Sequence, residues 1–211
     1  ATVITFEPHP DAVLGRGAPP LLCDPLERVA RLAAMGVDLL VRQPFDRDVA
    51  ALPAAEFVAA MVEAGPLAAL VMTPGSAFGR ARGGTLATLA PVAGELGFDL
   101  VEVPQVLAGP APISDSRIRD LVQTGRLGPA RGLLGRRPAV IGTVVHGDGR
   151  GHELGFPTAN LAFEAPVALP PDGIYAVRAS WGGRDPLVPA QRADGVASLG
   201  VRPTFGIRAR L

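Results

Sequence analysis

From Ala1 to Thr73 the sequence switches repeatedly between two hydrophobic periods. The extended apolar runs "ATVITF", "VDLLVR" and "LAALVMT" alternate with "PLERVARLAAMG" and "AAEFVAAMVEAG", whose apolar residues recur at helical spacing. Strands separated by amphipathic helices predict βαβ units and therefore a parallel sheet. "FDLVEVP" from Phe98 adds another extended run. "ISDSRIRDLVQTG" then carries both ends of a helix, with Ser114 as N-cap and Gly125 just past the end. A second short helix through "GPARGLLG" closes this half.

After "GRRP" the pattern changes. "AVIGTVV", "TANLAF", "GIYAVRASW" and "GVASLGV" are short β-like runs separated by Gly and Pro, without a helical period. They predict a small antiparallel barrel or sandwich. The expected organisation is thus an α/β domain over residues 1–135 followed by an all-β domain over 136–211. A chain of 211 residues with 48% hydrophobic content is long enough for two such cores.

Composition removes several chemistries. All 20 residues counted as Lys plus Arg are arginine, which rules out a Walker A lysine, a Schiff-base lysine and a protein-kinase strand lysine. The single cysteine, Cys23, cannot make an internal disulfide or a multi-cysteine zinc site. No cleavable signal peptide is recognisable, and stretches such as "PLAALVM" fall short of the roughly 20 apolar residues of a membrane span, so a soluble cytoplasmic protein is expected. Net charge is 0 and the arginines are scattered among as many acids, which makes nucleic acid a poor partner. Oligomeric state is not readable.

Four stretches carry possible chemistry. In "PTAN", Thr158 and Asn160 are two apart, so on a strand a hydroxyl and an amide carbonyl would share a face. Both are hard neutral oxygen donors suited to Mg²⁺ whose remaining ligands come from ATP and water. Gly147, Gly149 and Gly151 just before them would let backbone amides approach phosphates. A glycine-rich hairpin followed by a plain strand fits the same residues. In "ISDSRIR", Ser114 and Ser116 lie at a helix N-terminus that attracts phosphate, with Arg119 as a fixed cation; an ordinary capped helix is the alternative. In "FGRARGG", Gly79 and Gly83 permit a tight loop that offers Arg80 and Arg82 to a nucleotide, though a solvated turn explains it equally. In "FEPHP", His9 sits in a rigid turn after a strand, where parallel-sheet proteins bind ligands, with its role open. His9, His146 and His152 form no metal-ligand spacing.

Taken together, "GxVVHGDGRGxxLGFPTANL", "PPDGIYAV" and "GVASLGVRPTFG" resemble the linked motifs of riboflavin kinases. "VITFEPHP", "FGRARGG", including Phe78, and "ISDSRIR" resemble the adenylyltransferase module that precedes the kinase in bacterial bifunctional FAD synthetases. The resemblance implies a Rossmann-like nucleotidyltransferase domain and a riboflavin-kinase barrel. It further implies phosphorylation of riboflavin to FMN and adenylylation of FMN to FAD, each with ATP and Mg²⁺. By the same resemblance, Thr158 and Asn160 would hold the metal while Gly147, Gly149 and Gly151 position phosphates. His9, Phe78, Gly79, Arg80, Arg82, Ser114, Ser116 and Arg119 would bind nucleotide in the first domain.

The sequence departs from the family at three places. Asp115 replaces a family serine and would repel a triphosphate. The family's His-x-Gly-His element, upstream of the first strand, and its kinase glutamate, beyond the Arg-Pro-Thr-Phe element, are both outside the 211 residues. The expectation is a piece of a longer protein that, made as these residues alone, would be nearly inactive in both reactions. Two alternatives stay open: a riboflavin kinase with an impaired adenylyltransferase module, and a non-catalytic flavin- or nucleotide-binding relative.

Overall fold

The protein is described from a computed structural model covering residues 1–147, 158–183 and 185–200. The ten strands among these are β1 (Thr2–Glu7), β2 (Leu39–Pro44), β3 (Ala69–Met72), β4 (Asp99–Glu102), β5 (Leu107–Ala108), β6 (Ala111–Pro112), β7 (Thr143–Val145), β8 (Asn160–Ala162), β9 (Gly173–Trp181) and β10 (Gln191–Leu199). The helices are α1 (Pro10–Val13), α2 (Pro25–Ala34), α3 (Arg47–Ala51), α4 (Ala54–Ala64), α5 (Leu86–Leu96), α6 (Asp115–Gln123) and α7 (Leu127–Leu134). The strands associate in pairs, β1 with β2, β3 with β4, β5 with β6, β7 with β8 and β9 with β10.

The fold is mixed α/β with parallel and antiparallel pairing. β3 and β4 are parallel, with Leu70 opposite Leu100 and Val71 opposite Val101, as expected for strands joined through a helix. That crossover helix is α5, which the sequence reading omitted because Pro91 interrupts its pattern. Its ends are nonetheless marked. Thr85 and Thr88 form a reciprocal capping box, and Gly97 ends the helix in the left-handed conformation. The expected helices at α2, α4, α6 and α7 all form, whereas the short α1 and α3 were not anticipated.

The chain folds as two compact units. One comprises Ile4–Ala18 and Val41–Ile113. Its core is built from Ala54 and Val58 of α4, Met72 of β3, Leu89 and Ala93 of α5, and Phe98. Leu89 and Val58 are fully buried, and the i, i+4 spacings of Ala54 with Val58 and of Leu89 with Ala93 place each pair on one helix face. The other unit comprises Ala1–Val3, Pro19–Leu40 and the chain from Ser114 onward. Here α6 buries Ile118, Leu121 and Val122 at i, i+3 and i+4.

Among the described residues, the second half contains no helix after α7 and no closed barrel; it contributes two antiparallel pairs. β7 and β8 pair Thr143 with Ala162, Val144 with Leu161 and Val145 with Asn160. β9 and β10 form the longer ladder, from Gly173 opposite Leu199 to Trp181 opposite Gln191. Arg178 and Asp194 face one another in it, with Nε donating to Oδ1 at 2.8 Å. Trp181, the chain's single tryptophan, lies at the end of β9 and is half exposed.

Candidate functional site

The "FGRARGG" loop is closed at its base by two hydrogen bonds between Phe78 and Gly84. The Gly84 amide donates to the Phe78 carbonyl at 2.9 Å, and the Phe78 amide donates back at 3.3 Å. Between them, Arg80–Arg82 makes one turn of 3₁₀ helix in which Ala81 and Arg82 have φ of 52° and 57°. Left-handed L-residues cost roughly 1–2 kcal/mol each, so two in succession persist only where surrounding bonds fix them. Those bonds are present: the Arg80 amide donates to Leu52 O at 2.8 Å and the Arg82 amide to Gly79 O at 3.0 Å. The Arg82 side chain reaches Gly75 O at 3.3 Å.

Glycine is required at two points here by close approach. A Cβ at Gly79 would lie 2.7 Å from the Ala54 amide nitrogen, and one at Gly84 would lie 2.4 Å from Ala54 Cβ. The loop therefore sits on the first residue of α4. That helix follows Pro53 and has no side-chain cap, so its N-terminal amides and the positive end of its dipole lack a local acceptor from a side chain. A cleft of about 230 Å³ opens there, lined by Pro53, Ala54, Ala55, Arg80, Gly83, Thr88 and Leu89. The uncapped start of α4 and Arg80 border it, which suits an anionic ligand.

Thr88 is the residue of this cleft that sequence reasoning missed. Its hydroxyl donates to Gly83 O at 2.6 Å and accepts from the Thr85 amide at 2.8 Å, which ties the loop to the start of α5. The Thr-x-x-Thr spacing ahead of an apolar run was the available signal.

His9 caps α1, with Nδ1 accepting from the Asp11 amide at 3.2 Å. Its ring is part exposed and lies 3.8 Å from the Asp11 carboxylate. β1, which leads to His9, is linked to the loop by aromatic packing. Phe6 lies 6.0 Å from Phe57 of α4, and Phe57 packs edge-on against Phe78 at 5.8 Å between ring centroids.

Ser114 is the N-cap of α6, its hydroxyl accepting from the Arg117 amide at 3.3 Å. Ser114, Asp115 and Ser116 are exposed at that helix start. Arg119 is half-buried and its Nε donates to Pro20 O at 2.8 Å. The nitrogen that anchors Arg119 is thus committed to backbone.

In the second half, Asn160 opens β8 opposite Val145, the last residue of β7. Thr158 precedes the strand because its partner strand has already ended, so the pair is not two positions of one ladder as expected. Gly147 and Asn160 do meet: a Cβ on Gly147 would lie 2.0 Å from Asn160 Nδ2. Thr158 is exposed and Asn160 half-buried. Gly149, Gly151 and His152 lie outside the described residues, as does "RPTFG".

Residues 1–117 match the family model described as FAD synthetase, and residues 134–210 match the one described as riboflavin kinase. The chain belongs to the FAD synthetase family. Relatives of this FAD synthetase-family chain include a bifunctional riboflavin kinase/FMN adenylyltransferase of Escherichia coli K12, 36% identical over 99% of the chain and 66% of the relative. The Bacillus subtilis protein of the same description is 33% identical over 96% of the chain and 62% of the relative. The chain therefore spans about two-thirds of the length of these relatives. A crystal structure described as a macrolide-efflux protein from Streptococcus pneumoniae superposes with a TM-score of 0.79 at 30% identity, covering 97% of this chain and 64% of that one. Among the described residues, no helix is long and apolar enough to cross a membrane.

Proposed function

We propose that the protein makes FAD in two steps, phosphorylating riboflavin to FMN and adenylylating FMN, each with ATP. The first 135 residues form a Rossmann-like nucleotidyltransferase module, and residues 136–211 contribute to a riboflavin-kinase barrel of which β7 to β10 are parts. A cytoplasmic setting, with no nucleic acid or membrane partner, belongs to the same reading. One observation carries it: the two family matches follow one another on a single chain, and the residues expected to serve each reaction fall inside the corresponding match, except Arg119, which lies two residues past the end of the first.

For the kinase step, Thr158 and Asn160 supply a hydroxyl and an amide carbonyl, a donor set that fits a hard divalent cation. Mg²⁺ held there would neutralise charge on the ATP phosphates. Gly147 leaves space for the Asn160 amide, which fixes where that side chain can sit. Phosphoryl transfer depends chiefly on positioning and charge, so the placement of Asn160 is where this module acts.

For the adenylyl step, the uncapped start of α4 and Arg80 form a cleft for nucleotide phosphate, with Thr88 bracing the loop from behind. Ser114, Ser116 and Arg119 offer a second anion-attracting helix start. The test is to incubate the purified full-length protein with riboflavin, ATP and Mg²⁺ and to separate the flavins by liquid chromatography. FMN followed by FAD supports both assignments; riboflavin returned unchanged overturns them.

A second reading has its own observation. Asp115 occupies the first turn of α6, where its carboxylate stabilises the helix but opposes an incoming phosphate. In this reading the kinase works and the adenylyltransferase is impaired. Asp115→Ser then raises conversion of FMN to FAD, and no gain excludes it.

A further inference from the structure

Helix α2 buries the wrong kind of residue for an ordinary surface helix. Leu26 and Met35 are 70% and 72% exposed, whereas Glu27 is 3% exposed. A carboxylate is buried only when cations meet it, and two do. Arg31, one turn on, donates to Oε1 through Nε at 2.7 Å and through a terminal nitrogen at 2.5 Å. The second is Arg136, whose guanidinium lies 3.5 Å from the same oxygen. Arg136 is more than 100 residues away along the chain and falls within the riboflavin kinase match.

The segment leading into α2 makes the same connection by backbone. Leu21 forms an isolated parallel bridge with Val167. The Leu21 amide donates to Pro166 O at 2.8 Å, and the Ala168 amide donates to Leu21 O at 2.8 Å. Ala168 is buried at 5% exposure. One residue earlier, Pro20 O accepts from Arg119 of α6. All these residues belong to the unit that joins Pro19–Leu40 to the chain from Ser114 onward.

We propose that Pro19–Ala34, although it lies within the adenylyltransferase sequence match, is a strap that also completes the kinase module, holding it through the Leu21–Val167 bridge and the Glu27–Arg136 clasp. Sequence modules and folding units answer different questions. The family matches divide the chain by ancestry and chemistry, whereas the strap divides it by which segments lose structure together. Because Arg119 and Ala168 bond to adjacent residues of the strap, displacing it disturbs the nucleotide helix and the kinase chain at once. The inference rests on these contacts and not on either activity.

Cys23 supplies a reporter that needs no activity. It lies in the strap, it is the only thiol of the 211 residues, and burial pushes it up to about 11, with the Glu27 carboxylate adding to the effect and the two arginines opposing it. An aromatic disulfide reagent will therefore label it slowly while the strap is seated. Arg136→Ala, a change in the other sequence module, is expected to speed labelling severalfold in the full chain. Loss of that positive charge alone would raise the thiol further and slow the reaction, so acceleration reports greater exposure of the strap and not a more reactive thiol. An unchanged or slower rate overturns the proposal.

Native-state hydrogen exchange provides an independent readout without substitution. The Leu21 and Ala168 amides are expected to lose protection together as denaturant is added, in a step separate from the Asp99 and Val103 amides that bond the β3–β4 region. If Leu21 exchanges with Asp99 and Val103 while Ala168 exchanges apart, the strap belongs to the first module alone and the proposal fails.

Discussion

The side-chain amide of Asn160 rests against the α-carbon of Gly147, leaving no room for even a methyl group between them. The blocking atom is the end of a side chain and not backbone, so Gly147→Ala will displace Asn160 and leave the fold in place. We expect a stability loss within about 1 kcal/mol and a fall in riboflavin kinase activity of roughly tenfold or more from a misplaced ligand. Thermal unfolding together with kinetics of the full-length enzyme tests this, and equal loss in both would show that Gly147 is merely structural.

The arginine loop yields the opposite pairing of effects. Gly79 combines a φ of 72° with backbone at 2.7 Å from any added Cβ. Gly79→Ala should therefore cost about 2 kcal/mol or more. Ala81→Gly relieves a left-handed alanine, and the gain offsets the chain entropy that glycine adds, so its net effect on stability should lie within about 1 kcal/mol of zero. The freed loop should bind nucleotide more weakly, which equilibrium titration with ATP would register.

Leu89 is at once core and cleft wall, at 1% exposure. Leu89→Ala should destabilise by about 2–5 kcal/mol, as expected for a buried leucine whose surroundings relax incompletely. Denaturant unfolding measures it, and a cost below about 1 kcal/mol would mean that the cleft collapses onto the vacated volume.

Asp194 is held below its ordinary value of 3.8, chiefly by the hydrogen bond from Arg178 and then by its charge. A depressed carboxylate contributes stability that is present above pH 3.8 and disappears as pH falls through the lower folded value. Both side chains are well exposed, so the contribution is small and screened by salt. Asp194→Asn should lower Tm slightly at neutral pH, less so in high salt, and the two proteins should converge in Tm below pH 3.8.

Much of this was legible because the signals were local. Ser114 and Gly125 delimited α6 from their own chemistry, and the alternating runs located β1 to β4 before any contact was known. Helix α5 escaped because Pro91 weighs against a helix in any local reading, while the burial of Leu89 and Ala93 that outweighs it is a tertiary effect. The expectation that Thr158 and Asn160 share a strand failed for a related reason, since a strand lasts only as long as its partner and β7 ends at Val145. Glu27 was invisible as a buried group because its i, i+4 pairing with Arg31 reads locally as an ordinary surface pair, and its second counter-charge, Arg136, is remote in sequence. The closeness of Gly147 to Asn160 was foreshadowed only by their shared motif.

The position of Trp181 has an optical consequence. As the single indole of the chain, at the end of the β9–β10 ladder where the chain passes from one strand to the other, it makes intrinsic fluorescence a report on that hairpin, whereas far-ultraviolet dichroism is dominated by helices α2, α4, α5 and α6. Melting curves recorded by the two methods on one sample therefore compare the hairpin with the helices directly. Superimposed curves mean that the ladder comes apart together with the helices, and separated curves mean that it opens while they persist.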